Sequence, residues 1–179
     1  MLLIIEKIFD RFSDILGKLL AWLMVAMMLN VFYDVVMRYF FKSGSIAMQE
    51  LEWHIFSIVI LFGVSYTLKE DGHVRVDLIY DRLSYKKQAI INILGTIFFL
   101  FPIASLIAFG SIDFAIEAYT SGEQSGDPGG LPHRFILKSM IPISFFLLMF
   151  VAMGMILKNI NIYRGVKKPH QHSIDDDVL

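Results

Sequence analysis

Residues 89–112 read AIINILGTIFFLFPIASLIAFGSI, 24 positions without Asp, Glu, Lys or Arg. A helix of that length covers ~36 Å, more than the ~30 Å hydrocarbon core of a bilayer. An amphipathic helix on a soluble core would show a polar face, and this run has none. The bilayer is the solvent that suits it.

The rest of the chain is read outward from this segment. Ser139–Leu157 is a second uncharged run of 19 residues, and extending it back to Phe135 takes in Lys138 near the end. Trp53–Leu68 is 16 uncharged residues and Leu19–Tyr33 is 15. Both are short, but Trp22, Tyr33, Tyr39, Trp53 and Tyr66 lie at or near their ends, and amphipathic rings favour the membrane interface. Four spans are therefore expected, at about 19–41, 50–69, 88–113 and 135–158. The fold class is all-α integral membrane, with residues 1–165 as one membrane domain and 166–179 as a disordered tail.

Composition agrees. Of 179 residues, 56% are hydrophobic and 18% charged, and the mean hydropathy is +0.61. A soluble domain this small cannot bury so much apolar surface. With 16 Lys+Arg against 17 Asp+Glu, nothing draws the chain to a phosphate backbone, so nucleic acid is not an expected partner. The absence of Cys excludes thiol redox chemistry and thiolate-held zinc or iron–sulfur centres.

Before the first span, Ile5, Ile8, Phe9, Phe12, Ile15, Leu16, Leu19 and Leu20 recur at helical spacing. Glu6, Lys7, Asp10, Arg11, Asp14 and Lys18 fill the other face, with Asp14 and Lys18 as an i,i+4 pair. This predicts an N-terminal amphipathic helical segment of four to five turns, lying in the membrane interface or docking on a partner. It is not a secretory signal, because acidic residues interrupt the early positive charge and no cleavage site follows.

Twelve of the 16 basic residues fall in the N-terminal segment, the second loop and the tail. By the positive-inside rule both termini are expected in the cytoplasm. The first and third loops would then face the periplasm of a bacterial envelope. The third, EAYTSGEQSGDPGGLPH over residues 117–133, is turn-rich. Its Glu123 and Asp127 read as a solvated acidic loop in preference to a cation site.

Chemistry is sparse. Asn30, Asp34 and Arg38 recur every four residues on one face of the first span, and Asp34 and Arg38 can pair. Intramembrane ionisable groups invite a relay hypothesis; a structural polar face against another helix is the alternative. No histidine pair sits at mid-membrane to ligate haem. No HExxH, Walker, GxSxG or GxGxxG pattern occurs, so no cofactor, metal or catalytic residue is expected. Ser57, Ser65, Ser105 and Ser144 lack base partners and suit bonds to helix carbonyls or across helices. Pro102 and Pro142 can kink their spans without creating a site. An accessory or scaffold subunit fits best. The rival readings are a self-sufficient homodimeric transporter and a redox or lipid-modifying membrane enzyme.

Residues 50–84, ELEWHIFSIVILFGVSYTLKEDGHVRVDLIYDRLS, resemble the small membrane subunit of tripartite ATP-independent periplasmic (TRAP) transporters. The matching positions are Glu50-Leu51 opening the second span, Gly63 at its middle, and His73 with Asp77 four residues on. Arg38-Tyr39-Phe40-Phe41 with Ser45-Ile46 is similar to the family's first-span end, and 122–132 to the third loop of one branch. The resemblance implies a bacterial inner-membrane location and a large membrane subunit of about twelve spans carrying the substrate and sodium sites. It also implies a periplasmic binding protein that delivers an organic acid (a carboxylate, sugar acid or sulfonate). The small subunit would be a scaffold.

Roles for the matching residues follow from chemistry. Glu50 can accept from free N–H groups at a helix start or bridge to a basic residue of the partner. Gly63 permits close helix approach in a membrane. His73 and Asp77 can bond each other across one turn, beside Arg75. Trp53 anchors its helix end at the interface. Lys69, Arg75, Arg82, Lys86 and Lys87 would attract anionic membrane lipids.

Overall fold

The computed structural model describes residues 2–70, 80 and 82–166. Every regular element among them is helical. Four helices are long and apolar enough to cross a membrane. Helix α1 runs Leu2–Phe40 and α2 runs Ile46–Lys69. The third span, Tyr85–Thr120, joins α3 (Tyr85–Gly95), a π-turn (Thr96–Leu100), α4 (Phe101–Gly110) and α5 (Ile112–Thr120). Helix α6 is Phe135–Tyr163. Both ends of this chain segment emerge together, at what we term the terminal end. Loops 41–45 and 121–134 form the loop end.

Helix α6 is central. Helices α1 and α2 pack on it from one side and on each other, while α3, α4 and α5 pack on it from another. The third span makes no comparable packing against α1 or α2. The core is correspondingly small: Leu68, Ala104, Leu148, Val151 and Ala152 are buried, with Leu100, Phe101, Phe145, Met149 and Met155 packed around them.

The amphipathic segment is helical. It is continuous with the first span, and the 39 residues of α1 reach ~58 Å, well past the hydrocarbon core. Nothing in the sequence stops the helix there. Gly17, the weakest helix former, is held against the Tyr66 ring of α2, and a Cβ at Gly17 would collide with that ring. Asp14 pairs with Lys69 Nζ at 2.5 Å and not with Lys18.

The inward residues of α1 are 6, 9, 13, 16, 20, 23, 27, 30, 34 and 37, none of them exposed. These steps of three and four form a coiled-coil seam. The seam carries Glu6, Ser13, Asn30 and Asp34, all buried, whereas Ile8, Leu19, Trp22, Met28 and Phe32 face outward. Lipid tails are as apolar as Leu, so an outward oily face costs nothing and polar groups gain by turning to protein.

The π-turn has an identifiable cause and consequence. Pro102 has no N–H to donate back into the helix. The Phe101 N–H instead reaches Thr96 O, five residues back. A π-turn inserts one residue and so rotates the following face. Ala89, Asn92 and the turn's own first residue, Thr96, face inward, and Ala104, Ala108, Ala115 and Ala118 are buried after it. Pro142, by contrast, is carried inside α6 without interrupting the helix.

Candidate functional site

Polar side chains gather in two girdles, one at each end, and Glu50 organises the loop girdle. It lies one turn into α2 and is buried. Its carboxylate accepts from Ser125 Oγ and, at 2.5 Å, from the Leu131 N–H. Arg134 Nη2 stands 3.7 Å from the same carboxylate. Within this chain the glutamate bonds the third loop and not the free N–H groups of its own helix. It pins the third loop. That loop is also bonded to itself, through Ser125 N–H to Leu131 O at 3.2 Å and Arg134 N–H to Glu123 O at 3.0 Å. Glu123 is half-buried and pairs with Lys138 on α6, so it anchors the loop. At Gly130 a Cβ would strike Ser125 and come within 2.8 Å of Glu50 Oε2, and only glycine fits.

Trp53 and His54 extend the girdle. Their rings lie 4.0 Å apart between centroids, tilted by 39°, and His54 Nδ1 lies 2.6 Å from the Glu50 carbonyl oxygen. The Arg134 guanidinium lies over the Trp53 ring at 5.8 Å. From α1, Asn30 Nδ2 donates to Met48 O at 2.9 Å, and Asp34 pairs with Arg38 on the next turn. Asn30 is thus tied to the start of α2, at Met48, two residues before Glu50.

Gly63 is not part of either girdle. Nothing within this chain lies within 4 Å of a Cβ placed there, although Phe56, Ile60 and Val64 are exposed on the same helix. His73, Arg75 and Asp77 lie outside the described residues, as does the tail from Lys167.

The terminal girdle was not foreseen. Glu6 and Asn161 are both buried and bonded, Asn161 Nδ2 to Glu6 Oε2 at 2.6 Å. Asn92 Nδ2 donates to Tyr80 Oη at 2.8 Å and to Asn159 Oδ1 at 3.0 Å. The signal was present as two asparagines, Asn159 and Asn161, at an apolar helix's end, and as the three–four spacing of polar residues in α1. Asn159→Ala is expected to cost about 0.6–1.7 kcal/mol, the range for interhelical polar contacts in membranes. Thermal unfolding in detergent measures it, and an unchanged midpoint would remove the Asn92–Asn159 bond from the account.

Between the girdles the hydroxyls stay mostly within their helices. Ser57 donates to Trp53 O, Thr96 to Asn92 O and Ser144 to Ile141 O, and Ser105 bonds Met149 Sδ across helices. Ser65 Oγ is buried with no hydrogen-bond partner. Among the described residues no three His, Asp or Glu side chains are grouped to hold a metal ion.

Residues 27–161 match the family model described as tripartite ATP-independent periplasmic transporters, DctQ component. Two proteins of Haemophilus influenzae, each named as a TRAP transporter small permease protein, are similar. One is 27% identical over 151 residues, 83% of this chain and 87% of the relative. The other is 27% identical over 111 residues, 62% of this chain and 69% of the relative. The family match spans the first-span seam from Met27, the whole loop girdle and α6 as far as Asn161. The chain belongs to the DctQ component family of TRAP transporters: it is a small permease subunit, a multi-pass protein of the bacterial inner membrane.

Proposed function

We propose that this subunit is a non-catalytic scaffold in a sodium-coupled importer of an organic acid. A periplasmic binding protein delivers the substrate, and a large membrane subunit carries the substrate and sodium sites. The small subunit packs on the static part of the large one. The observation that carries this reading is where its ionisable groups go. Glu6, Asp34 and Glu50, the buried charged residues among those described, sit in the end girdles and are bonded within the chain. A solute pathway needs polar groups at the midplane, and there the described helices offer hydroxyls, most of them bonded within their own helix.

Gly63 is the residue through which this reading is tested. It is an open notch on α2, and in membranes such a notch receives a neighbouring helix. Gly63→Leu is expected to leave the isolated chain as stable as wild type, since no atom of its own lies near. Copurification with the large subunit should fall several-fold. Wild-type yield of the complex would contradict packing through α2.

Orientation belongs to the same proposal: the terminal end, with its basic excess, faces the cytoplasm. The chain has no native Cys, so Gln124→Cys gives one exposed thiol in the third loop. A membrane-impermeant maleimide should label it in spheroplasts without lysis. Labelling only after lysis would reverse the topology.

A further inference from the structure

We propose that the cleft between α2 and the third span binds one acyl chain of an anionic phospholipid, with the headgroup at Lys87. The cleft exists because α2 and the third span both pack on α6 and not on each other. Leu68 forms one wall, Ile91, Phe99 and Ile103 the other, and Phe145 and Leu148 the floor. Gly95 also lines it, and a Cβ there would meet no atom within 4 Å. The wall is hollowed where a side chain is missing.

Size selects the occupant. The cleft holds about 450 Å³. Three turns of helix, ~16 Å long and ~10 Å across, occupy roughly 1,200 Å³, so the cleft does not enclose a partner's helix, which would lie across its mouth. It can enclose a single flexible hydrocarbon chain. From Ile91 to Ile103 the wall rises ~18 Å, close to one leaflet's share, ~15 Å, of the hydrocarbon core.

Polarity orients that occupant. Asn92 and Thr96 line the terminal end of the cleft, but their donors are already engaged with Tyr80, Asn159 and the Asn92 carbonyl. The tail therefore meets no unsatisfied donor. Lys87 lies one turn before Ile91 on the same helix face. It is exposed and has no ion-pair partner among the described residues. Across the mouth, Lys69 next to Leu68 is occupied by Asp14 and Glu70. Among the described residues, Lys87 is thus a cation available at this end of the cleft, where a basic residue draws anionic lipid.

Native mass spectrometry of the full chain tests this, with phosphatidylglycerol and phosphatidylcholine of identical acyl chains as probes. The wild type should retain one phosphatidylglycerol and hold phosphatidylcholine about five-fold more weakly. Lys87→Glu should remove the preference between them. Gly95→Leu should abolish retention of both, and because Leu is a better helix former than Gly a preserved helical spectrum accompanies the loss. Equal retention by Gly95→Leu and wild type would overturn the proposal. So would equal binding of the two lipids by wild type. A wild type that holds no lipid, with Gly95→Leu instead failing to copurify with the large subunit, would also overturn it and assign the cleft to a protein contact.

Discussion

Glu50→Ala is expected to release the third loop from the membrane bundle. The wild-type carboxylate uses both oxygens, one toward Ser125 and one toward the Leu131 N–H. Truncation leaves those donors facing a gap. Hydrogen bonds to charged groups are the stronger class, and losing one raises local opening roughly ten- to hundred-fold. Hydrogen exchange at the Leu131 amide reads this directly. Glu50→Gln is informative because it conserves shape. Its amide oxygen can still accept from the Leu131 N–H while its NH2 donates to the Ser125 hydroxyl, which accepts as well as donates, so the contacts remain but lose the carboxylate's charge. We expect faster exchange at Leu131 and reduced uptake through weaker assembly, with the substrate Kd of the whole transporter unchanged. Unaltered exchange in both variants would mean that the loop's internal bonds hold it unaided. An intact complex with an altered substrate Kd would place Glu50 in the substrate path.

Gly154→Leu is expected to give the largest loss of stability of any substitution considered. A Cβ at Gly154 would stand 2.7 Å from Phe9 Cβ. That atom is fixed to the α1 backbone and cannot swing aside as a ring edge can, so α1 must move off α6. The Phe9–Phe150 ring contact at 4.6 Å and the Glu6–Asn161 bond lie on the same interface and would be disturbed together. Overpacking costs about 1–3 kcal/mol, which lowers Tm by several degrees in a chain of this size. Gly154→Ala should follow at a smaller cost, and Gly63→Leu should cost the isolated chain nothing measurable. If Gly154→Leu and Gly63→Leu unfold at the same temperature as wild type, the α1–α6 contact is not close in solution.

The contrast between these glycines shows what a sequence can reveal. Four spans were readable because a charge-free run long enough to cross a bilayer has few other uses. Their ends were less so. The expected first span of 19–41 overlaps the C-terminal part of Leu2–Phe40, and 88–113 is part of Tyr85–Thr120. Hydrocarbon limits apolar residues, whereas a helix continues through Lys, Asp and Gln. Glu6 was placed on an outer polar face by a rule that suits water-soluble helices. In a membrane bundle the sign reverses, and the seam of α1 collects polar groups against protein.

The candidate site was legible in its residue types and not in its partners. Glu50 stood out as a charge opening an apolar helix, but Ser125 and Leu131 lie 75 and 81 residues away. No local pattern joins them. Gly63 was marked by its mid-span position, yet the glycines that bring this chain's helices together are Gly17 and Gly154, against Tyr66 and Phe9. Sequence spacing identifies a small residue without naming the ring that fills the space above it.

The scaffold reading is tested most directly by reconstitution. Liposomes holding this chain alone, given a sodium gradient and a panel of organic acids with or without the binding protein, should show no concentrative uptake. Adding the large membrane subunit together with the loaded binding protein should start it. Sodium-driven accumulation of any solute by the chain alone would contradict the account.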